Sequence, residues 1–112
     1  DLRPEAGGTR LELRHIAHVE AHWGAYGPGA VGVGWDLSFM GLARHLAEPD
    51  SEVAAEAVEG WFGSDEAKAM IRKCSDAWGA AAIGAGESRE HALAAAEATR
   101  KFFTGEAPPA GA

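Results

Sequence analysis

Thr9-Arg10-Leu11-Glu12-Leu13-Arg14-His15-Ile16-Ala17-His18-Val19 is the stretch on which the fold turns, because its apolar residues recur at every second position. Leu11, Leu13, His15, Ala17 and Val19 share one face, while Glu12, Arg14, His18 and Glu20 share the other with Ile16. A period of two with one polar face predicts a strand over 9–19 that is covered on one side only. Just before it, Pro4-Glu5-Ala6-Gly7-Gly8 supplies turn chemistry, glycine permitting positive φ, so Leu2 and Arg3 read as the end of a partner strand. The unit is a β-hairpin. One hairpin is not stable alone in water, so this strand needs neighbours.

Moving outward, residues 21–29 read as a loop ending in Gly27-Pro28-Gly29, and a long helix follows over 31–47. Trp35, Phe39, Leu42 and Leu46 step by four, three and four, and Val33, Leu37 and Met40 widen that stripe until it could lie across a sheet. Glu48-Pro49 stops the helix. Three further helices follow. Asp50 or Ser51 opens one carrying Val53, Ala54, Ala57, Val58 and Trp61, and Gly63 ends it. Ser64 caps the next, with Asp65 and Glu66 complementing its dipole and Ala67, Met70, Ile71, Cys74, Trp78 and Ala81 as its buried stripe. Ser88 caps the last, where Ala92, Ala95, Ala96, Thr99, Phe102 and Phe103 align before Gly105. The predicted class is α+β and mostly helical: a hairpin and long helix over 1–47, a helical extension over 48–105, and a structureless tail over 106–112. The helices differ in length and pattern, so no solenoid repeat is present.

Bulk properties narrow the function classes. With 112 residues the chain is one small domain or part of one. A hydrophobic content of 46% excludes disorder over the whole length. A net charge of −7, with ten basic residues scattered among seventeen acidic ones, argues against nucleic acid or an anionic membrane as partner. The single cysteine, Cys74, permits no internal disulfide and fits a reducing, cytoplasmic home. No apolar run reaches the length of a membrane span, and no signal segment opens the sequence. The first residue is Asp1, not Met, so a processed start or a piece of something longer is expected.

Gly8-Thr9-Arg10-Leu11-Glu12-Leu13-Arg14-His15, followed after a loop by Gly34-Trp35 at a helix start, resembles the second half of the AHSA1-like branch of the SRPBCC (START-like, helix-grip) superfamily. The longer run from Gly27 to Asp36, and the helical tail through Phe102-Phe103-Thr104-Gly105, resemble an actinobacterial-type subgroup. The resemblance implies that the strand and the long helix are the closing grip of such a domain, with a ligand cavity between sheet and helix. The family's opening strand, short helix pair and first antiparallel strands have no counterpart here. The missing strands are therefore expected from an absent N-terminal half or another chain, and the exposed strand edge is a place for a homo-oligomer to form.

Candidate chemistry is sparse. His15 and His18 differ by three on a strand and point to opposite faces, His22 joins at most one of them, and no carboxylate or cysteine partner stands at ligand spacing, so no metal is expected. His15 lies on the apolar face. It reads either as a core histidine bonded to a backbone group or as a polar anchor for a ligand or a general base. Trp35, Phe39, Met40 and Trp78 are packing residues or the lining of an apolar pocket. Asp36 is expected to complement the helix dipole, and Cys74 to be inert on a buried stripe. The glycines at 27, 29, 32 and 34 outwardly resemble a phosphate loop, but no Gly-Lys-Ser/Thr follows, and they read better as close-packing positions.

The sequence-level expectation is a START-like module that binds a small hydrophobic ligand or a protein partner. Its binding residues are His15, Leu13, Trp35, Phe39 and Met40, and it needs no cofactor and no catalytic group. The alternatives are a polyketide cyclase- or aromatase-like enzyme using His15, and a helical unit that oligomerises through its Ala-rich last helix.

Overall fold

A computed structural model describes residues 1–106; of the tail expected at 106–112, only Glu106 is among them. Strands β1 (Leu2–Glu5) and β2 (Gly8–Leu11) pair antiparallel, with Leu2 opposite Leu11, Arg3 opposite Arg10, Pro4 opposite Thr9 and Glu5 opposite Gly8. The turn is only Ala6-Gly7, with Gly7 at φ 75°, tighter than the five-residue turn at 4–8 that the sequence predicts. Pro4 stays inside the strand for a reason of phase. Asp1 and Glu12 exchange both backbone hydrogen bonds at 2.9 Å, so bonded pairs fall at Arg3–Arg10 and not at Pro4–Thr9. The N–H that proline lacks would have pointed away from β2.

The strand predicted over 9–19 stops at Leu11, and residues 12–20 are exposed and without regular structure. Alternation specifies the face a strand would bury, but a strand persists only where another takes its backbone bonds. The register sets Asp1 opposite Glu12, and among the described residues none bonds the backbone of residues 13–19. A second correction concerns 21–29: the expected loop contains a short helix, α1 (Ala21–Tyr26), ended by Gly27 at φ 62°. The long helix α2 (Gly29–Ala47) starts two residues earlier than predicted, directly after Pro28, whose fixed φ suits a helix start.

Helix α3 (Ala55–Phe62) begins later than the Asp50 or Ser51 cap predicts; Ala54 precedes it with no side-chain cap. The caps of the last two helices are where the sequence places them. Ser64 Oγ accepts from Ala67 N at 3.2 Å to start α4 (Asp65–Gly84), and Ser88 Oγ accepts from His91 N at 3.2 Å to start α5 (Arg89–Phe103). Beyond α5, Gly105 at φ 76° turns the chain so that Glu106 N bonds Lys101 O at 2.8 Å. The Glu106 carboxylate then accepts from Arg100 and from Thr104 Oγ1, both at 2.6 Å.

The core lies between α4 and α5, with the first half of α2 laid across both, α1 against α5 and α2, and α3 against α4 alone. Ile71, Val33, Ala67, Ala92, Ala95 and Ala96 are buried, and small residues set the spacing. A Cβ on Gly79 would stand 3.0 Å from that of Ala96, and one on Gly32 would enter the Trp78 indole. Thr99 Oγ1, fully buried, donates to Tyr26 O at 2.9 Å and ties α5 to α1. Within α4 the buried set includes Ser75, Gly79 and Ala82, while Ala81 is exposed and Met70, Cys74 and Trp78 are half-buried. In α5 Phe102 is exposed and Phe103 half-buried, so the last helix contributes small residues rather than aromatic ones.

Two features remain open. Neither strand of the hairpin lies against any helix, and the second half of α2 is uncovered, with Leu46 71% exposed. The radius of gyration of 15.8 Å exceeds the roughly 13 Å of a compact chain near 100 residues, as those protrusions require.

Candidate functional site

The second half of α2, the segment before α3, α3 itself and the start of α4 enclose an apolar groove of about 620 Å³. Leu37, Met40, Val58, Trp61, Phe62 and Met70 form its walls, and Arg44 and Glu66 bring the two charged side chains. The sequence dictates this place by leaving two stripes half-matched. The apolar stripe of α2 runs on past its last buried residue, Val33. The eight-residue α3 is amphipathic yet buries no residue of its own, so the two faces look at each other across a gap. Gly41 lies in the floor of the groove on α2, where an added Cβ would meet nothing within 4 Å. A hollow of about 190 Å³ beside Tyr26, Phe102 and Phe103 and a crevice of about 10 Å³ at Ser75 are the other two depressions described. Ser75 Oγ is buried there without a hydrogen-bond partner.

Of the predicted ligand residues, only Met40 lines this groove. His15 and Trp35 do come together: Trp35 Nε1 donates to His15 Nδ1 at 3.0 Å, and the rings meet edge-on at 6.1 Å. That bond occupies one imidazole nitrogen and leaves the other for solvent. Leu13 and Phe39 are exposed, at 40% and 37%, and line none of the described hollows. Trp78 belongs to the interhelical packing, with its indole over Gly32 and its Nε1 donating to Asp36 Oδ2 at 2.8 Å. Asp36 is thus not the helix-start charge the sequence suggests. It sits seven residues into α2, too far from the N-terminus for a dipole role, and holds an indole instead. Burial, then the adjacent Asp36 carboxylate, pushes the Cys74 thiol up, away from the thiolate a nucleophile needs.

Reading the sequence missed Trp61, Phe62 and Met70 as groove walls, because an amphipathic helix normally buries its stripe. The available signal was the surplus of stripes: four helical apolar faces in a chain this short exceed what one core can cover. It also missed the clasp at His91, whose Nδ1 lies 2.7 Å from Glu87 Oε2 and whose Nε2 lies 2.7 Å from Gly24 O. Both neighbours are acceptors, so the Gly24 carbonyl first and the Glu87 side chain second raise the His91 pKa. The Ala-rich face of α5 is consumed within the chain, since Ala92, Ala95 and Ala96 are all buried. Among the described residues no three of His, Cys, Asp and Glu gather where one metal ion could sit, and no helix is long and apolar enough to cross a membrane.

Comparison with known proteins returns no match: no family model, no curated protein and no solved structure is similar to the chain.

Proposed function

We propose that this chain is a binding module that holds a small hydrophobic molecule in the groove between α2, α3 and the start of α4. The volume of that groove carries the reading. About 620 Å³ falls within the range of pockets that enclose small ligands, and its walls are aliphatic, aromatic and thioether side chains with only two charges among them. The methionines at 40 and 70 suit a ligand whose shape is not closely defined, since thioether chains adapt without strain. The ligand class is the one that the START-like resemblance implies, and that resemblance, carried by Gly8–His15 and Gly34-Trp35, stands as part of the same proposal. So does a cytoplasmic home, supported by the lone cysteine.

The test uses Gly41, where an added Cβ meets nothing within 4 Å. Fluorescence titration with N-phenyl-1-naphthylamine, a neutral apolar dye, should show saturable binding to the native chain. Gly41→Phe should weaken it by at least about tenfold by filling the groove, which corresponds to about 1.4 kcal/mol. The same change should leave thermal stability equal or higher, because glycine is a poor residue inside a helix. Undiminished dye binding by Gly41→Phe would remove the groove from consideration.

A further inference from the structure

We propose that a second copy of this chain pairs with the free edge of β2, the two strands running antiparallel about a two-fold axis at Leu13. The inference is independent of the groove and rests on backbone phase and on charge.

In β2 the even-numbered residues spend their backbone bonds on β1, as the doubly bonded Asp1–Glu12 pair shows. The N–H and C=O groups of Thr9 and Leu11 therefore point to the opposite edge, and alternation carries Leu13 and His15 with them. No described strand lies on that edge, and residues 13–19 make no backbone–backbone hydrogen bond. Thr9 to Val19 thus keep the alternation of a paired strand but have pairing on one side only, from Thr9 to Glu12. An antiparallel partner on the free edge must bond odd residues to odd residues. A second copy meets that condition in several registers, and charge, the turn at Gly7 and the start of α1 select among them.

An axis at Glu12 sets glutamate against glutamate, and an axis at Arg14 sets arginine against arginine. An axis at Leu11 pairs His15 with the turn at Gly7, and one at His15 drives Thr9 onto Ala21 at the start of α1. An axis at Leu13 avoids all four conflicts. It sets Glu12 of each copy opposite Arg14 of the other, twice. It stacks Leu13 on Leu13 and Leu11 on His15 along the apolar face, where Leu11 and Leu13 are now more than a third exposed. Glu12 and Arg14 already meet within one chain at 3.1 Å, and both are exposed, so each can turn to the partner without desolvation. The product is a four-stranded sheet, β1-β2 with its two-fold copy, which has the strand number that one hairpin lacks for independent stability.

Sedimentation equilibrium over a wide concentration range tests this on the chain as it stands. A monomer–dimer equilibrium is expected. Glu12→Arg and Arg14→Glu, each alone, should raise the dimer dissociation constant on the order of tenfold, because each turns two attractive cross-strand pairs into two repulsive ones. An equimolar mixture of these two variants should dimerise again, since every 12–14 pair across the axis then joins opposite charges. The doubly reversed chain should behave like the native one. Both positions are exposed and distant from the helical core, so unchanged helical circular dichroism in the variants confirms that folding is intact. A chain that stays monomeric at the highest attainable concentration overturns the proposal. A dimer whose affinity ignores these reversals overturns it as well.

Discussion

Replacing Gly32 by alanine sets two physical effects against each other within one helix. The residue lies in the first turn of α2, where alanine is intrinsically better than glycine by about 1 kcal/mol. Its new Cβ, however, would enter the Trp78 indole, well inside contact distance of Cε2, Cδ2 and Nε1. Carbon contacts settle near about 3.5 Å, so the indole must retreat by more than about 1 Å or α2 must lift from α4. Either movement costs about 1–3 kcal/mol as overpacking. It also breaks the 2.8 Å bond from Trp78 to Asp36, a hydrogen bond to a charged group that contributes about 1.5 kcal/mol at the low end. Subtracting the helix gain leaves a loss of about 1.5–3.5 kcal/mol, or a melting temperature lower by roughly 6–28 °C. Gly34→Ala in the same helix meets nothing within 4 Å and should raise stability by about 1 kcal/mol. Urea unfolding followed by circular dichroism measures both, and the near-ultraviolet tryptophan signal reports whether Trp78 moves. A Gly32→Ala chain as stable as the native one, with that signal unchanged, would refute the contact on which α2 is seated.

Ile71 is fully buried between the packed helices, so Ile71→Ala should cost about 2–5 kcal/mol in urea unfolding. Val58, 42% exposed on α3, should cost less than about 1 kcal/mol on the same change, and equal losses would contradict the placement of the core. The raised pKa of His91 makes its clasp on Gly24 pH-dependent. The stabilisation is complete below the unfolded value near 6.5 and is lost as pH rises through the higher folded value. The difference in melting temperature between native and His91→Gln chains should therefore shrink from about pH 5.5 to about pH 8.5, and a constant difference would deny the imidazolium that role.

Much of the architecture was written in local signals. The α+β class, the hairpin, the long helix and the three helices after it are legible from periodicity. Ser64 and Ser88 mark two helix starts because a serine hydroxyl meets an orphan N–H whatever surrounds it. In α5 the run of Ala92, Ala95, Ala96 and Thr99 predicts its own buried face. Such features depend on residues three or four apart, and short-range geometry settles them.

Tertiary structure decided what those elements cover, because that depends on which neighbour arrives. The alternation over 9–19 names a face, yet only Thr9 to Leu11 of that stretch form a strand. Trp35 and Trp78 look alike as stripe residues, but one reaches His15 and the other fills the space left by Gly32. The same stripe on α2 is core at Val33 and groove at Met40, seven residues on, because α3 rests on α4 and not on α2. His15 was singled out from its place on an apolar strand; an exposed segment bonded to a tryptophan is where folding set it. Local spacing determines which residues face the same way, and only packing determines what they face.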